Sequence, residues 1–239
     1  MAEPVDISGC SLFDMEDECD LGPCVIDNPF GVSITLVEGG EDLEGGQGEI
    51  IWRGGSSLIS RTIKGIFPSI EGKSIIELGT GTGVLGLLLA MAGANVLLTD
   101  QDHVINGPIL AQNVKANRED IETNGGSVKM RTLNWEKSLD FSQGEESFDL
   151  LVATDCYFFE YLGVKLVETI VKVKEVNGNP ALRIFLANDG RWNAKFFENL
   201  SRHFEWAFID VNGEKMGKDL CGVGNEARVV ECWTKPPPT

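Results

Sequence analysis

Basic residues are scarce in this 239-residue chain, and the first 48 positions contain none while holding twelve acids. The whole sequence has 37 acids against 20 lysines and arginines, a formal charge of −17. Phosphate binding depends on lysine and arginine clusters, so the charge argues against nucleic acid as the main partner, and none is expected. An anionic membrane surface is disfavoured for the same reason. Histidines number two, His103 and His203, and none of the six cysteines forms a Cys-x-x-Cys pair. A metal site is therefore not expected. No run of eighteen apolar residues occurs, so no membrane span is expected. The opening residues are acidic and polar rather than basic and then apolar, so no secretory leader is expected. Unpaired thiols then fit a reducing compartment, the cytoplasm and also the nucleus.

The 42% of hydrophobic residues suffices for a sizeable core, and the length suits one main domain. Residues 1–48 read as an acidic, partly flexible extension with a short strand over Val32–Val37 and a glycine- and acid-rich loop over Glu38–Gly48. Such an extension solubilises the chain or contacts a basic partner. Residues 49–239 read as the folded domain. A strand-like run at Glu49–Trp52 precedes a helical pattern over Ser56–Phe67, which Pro68 stops. Strand patterns at Ser74–Leu78, Asn95–Thr99, Val128–Leu133, Phe148–Ala153 and Ala181–Ala187 then alternate with helical ones. The helical patterns are Val84–Met91, Val104–Arg118, Tyr161–Lys174 and Asn193–His203. This alternation predicts an α/β fold with a mostly parallel sheet and helices on both faces. Two last strand-like runs, Glu205–Val211 and Ala227–Trp233, have no helical pattern between them and suit antiparallel pairing. Pro236, Pro237 and Pro238 make an extended tail.

The strongest local signal is Ile75-Ile76-Glu77-Leu78-Gly79-Thr80-Gly81-Thr82-Gly83-Val84-Leu85-Gly86, a buried strand running into a glycine-rich turn and a helix. Glycines permit positive φ and close approach of a ligand to the backbone. Open α/β sheets bind ligands at this carboxyl end of the strands. The next strand ends at Asp100, where a carboxylate can accept from both hydroxyls of a ribose. Together these residues describe a nucleoside crevice. Gly81-x-Gly83-x-x-Gly86 also matches the dinucleotide fingerprint, so the nucleoside is open on this evidence alone.

The run Glu77-Leu78-Gly79-x-Gly81-x-Gly83 resembles motif I of the seven-β-strand methyltransferases. Further residues narrow the likeness: Ile51-Trp52 upstream, Thr99-Asp100, the stretch Ile109–Asn117, Leu133-Asn134-Trp135, and Ala153-Thr154-Asp155-Cys156-Tyr157-Phe158. In that order they resemble methyltransferase family 16, largely cytosolic protein-lysine methyltransferases, over about residues 48–234. The resemblance implies a Rossmann-like seven-stranded sheet, with the closing strands antiparallel at one edge and a short N-terminal β element. It makes 49–239 a methyltransferase domain using S-adenosyl-L-methionine and releasing S-adenosyl-L-homocysteine. Glu77, Gly79, Thr80, Gly81 and Gly83 would lie at the cofactor's methionine end and Asp100 at its ribose. Asn134 and Trp135 would meet adenine, Trp52 would close the pocket, and Ala153 and Thr154 would form its floor. Asp155 is the expected catalytic residue, receiving the lysine ammonium, with Tyr157 assisting.

Two departures stand out. The family's Asp-x-x-Tyr reads Asp155-Cys156-Tyr157-Phe158 here, and its Asp-Trp reads Asn134-Trp135. The expected partner is a lysine-bearing, basic protein, and a monomer is the default. Three other readings compete. One is a methyltransferase acting on a small molecule or a non-lysine residue. Another is a nicotinamide enzyme using Tyr161-x-x-x-Lys165, and the third is a catalytically silent binding subunit.

Overall fold

A computed structural model describes residues 24–27, 29–39, 50–51, 53–137, 147–157, 159–188, 193–216 and 228–234. Trp52, Phe158, the loop from Gly40 to Gly48 and the proline tail lie outside the described residues.

The strands expected from the alternation form most of one sheet. β3 (Ser74–Leu78), β4 (Asn95–Asp100), β6 (Leu150–Thr154) and β7 (Arg183–Asn188) are its mostly apolar inner strands, and the more polar β5 (Ser127–Thr132) is its edge. Three more strands, β8 (Phe204–Ile209), β9 (Lys215–Met216) and β10 (Arg228–Thr234), complete it. Among the described residues the order is β5-β4-β3-β6-β7-β10-β8-β9. The first five run parallel, and β10 inserts antiparallel between β7 and β8. The expected antiparallel closing strands are therefore present. An eighth, two-residue strand adds to the seven expected: Asp210 accepts from the N–H groups of Asn212 and Glu214, and this turn folds β9 back onto β8.

Alternation along each strand builds two cores, because successive side chains point to opposite faces. Ile75, Val96, Leu98, Leu150, Val152 and Phe185 face one side, with α1 (Arg53–Ile66), α2 (Val84–Met91) and α4 (Pro108–Thr123). Ile76, Leu97, Leu151, Ala153, Ile184 and Leu186 face the other, with α5 (Glu160–Val176) and α6 (Ala194–His203). Every residue of α2 is buried. Gly86 permits this: a Cβ there would fall 2.1 Å from a Leu98 methyl and 2.5 Å from Glu77 Oε2.

The helix expected over Val104–Arg118 is broken into α3 (Asp102–Ile105) and α4. Pro108 lacks an N–H and forces Gly107 into an extended conformation, so a new helix starts there. Of the strand-like run Glu49–Trp52, residues 50–51 are described and join no strand; α1 begins at Arg53 instead. Ahead of the sheet, β1 (Cys24–Asp27) and β2 (Ser33–Leu36) form an antiparallel hairpin. Ile34 and Leu36 of β2 are buried in the same core as α2 and α4.

Candidate active site

Strand order reverses between β3 and β6: the chain leaves β3 toward β4 on one side and leaves β6 toward β7 on the other. A crevice opens at such a switch point, at the carboxyl ends of the strands. The glycine turn lies there, after β3. Gly79, Gly81 and Gly83 have φ of +71°, +52° and +88°, which L side chains rarely adopt.

The end of β4 holds the turn. The N–H groups of Gly79 and Thr80 both donate to Thr99 O, at 2.9 and 3.0 Å. Asp100 Oδ2 accepts from Gly81 N–H at 2.9 Å, and its Oδ1 from Gln101 N–H at 2.7 Å. Beneath the turn Glu77 is 1% exposed and accepts from the Thr80 hydroxyl at 2.6 Å. Burial, reinforced by the neighbouring Asp100, raises its pKa from 4.5 to about 8. Burial also raises the Asp100 pKa, against the hydrogen bonds from Gly81 and Gln101.

Across the crevice, β6 ends in Ala153 and Thr154, followed by Asp155, which is buried with φ +55°. Asp155 N–H donates to Ala187 O of β7 at 2.9 Å. The Cys156 thiol reaches Thr154 O at 3.0 Å, with Leu78 O at 3.4 Å. Burial, then Asp100, Asp155 and Glu77, pushes this thiol well above its usual range, so it is no nucleophile.

Tyr157, whose hydroxyl the sequence suggests as an assistant, packs its ring in the core. Its ring is 3% exposed, stacks on Phe196 at 4.1 Å and meets Phe197 edge-on. Asn193 donates to its carbonyl at 2.8 Å. The phenol is pushed well above its usual range by burial first and the charge of Asp155 second.

Trp135 follows β5 and lies over the turn. A Cβ on Gly79 would fall 3.4 Å from the indole and 2.4 Å from Cys156 Sγ. Trp135 Nε1 is buried with no hydrogen-bond partner among the described residues. Asn134 turns into its own loop, its Oδ1 accepting from Glu136 N–H at 2.9 Å. The edge thus collects Glu77, Asp100 and Asp155, a flat indole with an unused donor, and glycines that only a side-chain-free backbone satisfies. That set fits a cationic adenosyl ligand bearing hydroxyls and a flat base.

Tyr161 and Lys165 form no comparable pair. The Tyr161 hydroxyl bonds Glu136, and Lys165 Nζ bonds Glu168 at 2.9 Å, each at the protein surface. Nothing in the sequence singles out Asn188, a buried residue ending β7 just after the acceptor for Asp155. Asn113 and Asn117 belong to a stretch that carries the family resemblance, but their partners on β2 are invisible without the fold.

The lysine methyltransferase family model matches residues 35–203, most of the chain. The chain belongs to this family. It is 33% identical over 102 residues to the protein N-lysine methyltransferase METTL21A of Danio rerio, a match covering 42% of this chain and 44% of that one. It is 28% identical over 162 residues to the protein-lysine N-methyltransferase EFM6 of Saccharomyces cerevisiae, covering 62% of each. These matches thus span less than two thirds of those relatives. Among solved structures, SMU.776, a putative methyltransferase complexed with SAH, superimposes with a TM-score of 0.55 at 13% identity, covering 90% of this chain and 57% of that one. The chain therefore shares the fold of S-adenosylmethionine-dependent methyltransferases. The described residues include no helix long and apolar enough to cross a membrane and no cluster of metal-binding side chains.

Proposed function

We propose that this chain is an S-adenosylmethionine-dependent N-methyltransferase acting on lysine side chains of a protein. The observation that carries the reading is the turn of left-handed glycines at the switch point, faced by Asp100, Trp135 and Asp155. Membership of the lysine methyltransferase family supports it.

S-Adenosylmethionine would supply an activated methyl group on a sulfonium and leave as S-adenosylhomocysteine. Gly79, Thr80, Gly81 and Gly83 would hold its methionine end, with Glu77 bracing the turn through Thr80. Asp100 would accept from the ribose hydroxyls through lone pairs that Gly81 and Gln101 leave open. Trp135 would lie against adenine, with Asn134 beside it and Trp52 closing the far side. Ala153 and Thr154 would floor the site next to the sulfonium. Asp155 would receive and orient the incoming ammonium. A lysine reacts only when neutral, and its ordinary pKa of about 10.4 falls when it is buried beside a cation. The protein's task is to hold that amine in line with the methyl group.

The acidic balance of the chain suits a basic protein partner. A monomer working in the cytoplasm, and in the nucleus as well, is the accompanying proposal. Calorimetric titration with S-adenosylmethionine, S-adenosylhomocysteine and NAD tests the reading, with Asp100→Ala as control. The expected result is binding of both adenosyl ligands, weakened at least tenfold in the control, and labelled-methyl transfer to protein lysine. Binding of NAD alone would overturn it.

A further inference from the structure

The hairpin β1–β2 stands outside the main sheet, yet β2 is held on α4 by an unusual pairing. Asn117 Oδ1 accepts from Thr35 N–H at 2.8 Å, and Asn117 Nδ2 donates to Thr35 O at 2.6 Å. Asn113 Oδ1 accepts from Val37 N–H at 2.7 Å, and Asn113 Nδ2 donates to Val37 O at 3.0 Å. Each carboxamide thus copies the reciprocal pair that a neighbouring strand would make. The spacing explains why it works. Four residues of helix rise about 6.0 Å, and two residues of strand about 6.8 Å, so Asn-x-x-x-Asn meets Thr35 and Val37 in register. Both asparagines are almost fully buried, and their hydrogen bonds remove the cost of burying amides.

The two differ in their remaining N–H. Asn117 Nδ2 donates to Asn113 O within the helix, at 2.7 Å. Asn113 Nδ2 donates to Thr82 O at 2.9 Å, inside the glycine turn. All of the hydrogen-bonding capacity that Asn113 has along its two N–H directions is therefore divided between the N-terminal arm and the turn. Leu110, one turn earlier on α4, packs under Gly83: a Cβ there would fall 2.9 Å from its methyl. The arm continues to Glu38, whose carboxylate accepts from Ile51 N–H at 3.1 Å.

We propose that Asn113 is a positioning residue that ties the glycine turn to the N-terminal arm at Val37, and that this tie, rather than order in β2 as a whole, sets the affinity for the adenosyl ligand. This rests on the reading that the turn holds that ligand. Val37 is then linked to the turn through a single side chain.

The test compares Asn113→Ala with Asn117→Ala in the full chain. Both lose one arm pair, but only the first releases Thr82. Three readouts apply: thermal midpoint, hydrogen exchange over residues 79–83 without ligand, and calorimetric affinity for S-adenosylhomocysteine. Both variants are expected to lose stability and protection of β2 to a similar degree. Asn113→Ala alone should speed exchange in the turn and weaken S-adenosylhomocysteine at least tenfold, with Asn117→Ala staying within about threefold of wild type. Should Asn113→Ala fail to fold, Asn113→Asp takes its place, since it keeps the acceptor for Val37 N–H and, when ionised, loses the donations to Val37 O and Thr82 O. Equal affinity and equal turn exchange in the two alanine variants would overturn the coupling while leaving the cofactor reading intact. A wild type silent toward S-adenosylhomocysteine, with turn exchange still raised only by Asn113→Ala, would sink the cofactor reading and keep the mechanical link.

Discussion

Replacing Glu77 by glutamine should remove a pH dependence that this one buried carboxyl imposes on stability. Glu77 is 1% exposed beneath the glycine turn, and its pKa rises from 4.5 to about 8. An acid with a raised folded pKa binds its proton more tightly in the native state than in the unfolded one. Its contribution is thus complete below about pH 4.5 and declines as pH rises, until the native carboxyl ionises near pH 8. A span of roughly 3.5 pKa units corresponds to at most about 5 kcal/mol. Relaxation and water entry would reduce that to on the order of 3 kcal/mol. The slope between pH 5.5 and 7.5 should approach ~1 kcal/mol per unit. The carboxamide of the Glu77→Gln variant would keep an acceptor for the Thr80 hydroxyl and carry no titrating proton. Urea unfolding of both proteins across this range is the assay, and the wild-type curve should fall relative to the variant as pH rises. Parallel curves would refute the assignment of a protonated, desolvated Glu77. With ligand bound, a nearby sulfonium would favour the ionised carboxylate and flatten the wild-type curve.

Gly79→Ala should destabilise the protein by about 1–3 kcal/mol, because φ is +71° and the new methyl would meet Cys156 Sγ, and it should abolish adenosyl-ligand binding; urea unfolding and calorimetry check the two effects. Asp155→Asn keeps a residue that tolerates φ +55° and should leave S-adenosylhomocysteine affinity within a few-fold while methyl transfer drops by roughly a hundredfold. Equal losses of both would place Asp155 in cofactor binding instead. Phe196→Ala empties a fully buried site against Tyr157 and should cost about 3–5 kcal/mol in unfolding free energy. Tyr157→Phe preserves that stack, and single-turnover rates within a few-fold of wild type would show that the phenol takes no part in transfer.

Periodicity made the central sheet legible. Strands such as Val96–Leu98 and Leu150–Ala153 are apolar on both faces, so their burial under helices on either side follows from composition alone. The glycine turn was equally plain, since Gly79, Gly81 and Gly83 occupy positions where positive φ excludes most other residues. Misreadings arose where long-range contacts compete with local pattern. The Val104–Arg118 periodicity spans a proline that resets the helix, and Ile51 belongs to the core without belonging to a strand. The packing of the Tyr157 ring against Phe196 depends on the approach of α6 and has no local signal.

The sequence by itself determined which residues are apolar, where the chain must turn, and which acid ends β4, because these depend on side-chain chemistry and local sterics. Tertiary structure alone decided what those residues meet. Glu77 becomes hard to ionise because the fold buries it beneath the glycine turn, which outweighs the hydrogen bonds it accepts from Thr80 and from Gly86 N–H. Asn113 acquires its partners because β2 lies antiparallel to α4 in matching register with Asn117. Burial and pairing across 76 residues of chain are properties of the folded geometry, and no local pattern encodes them.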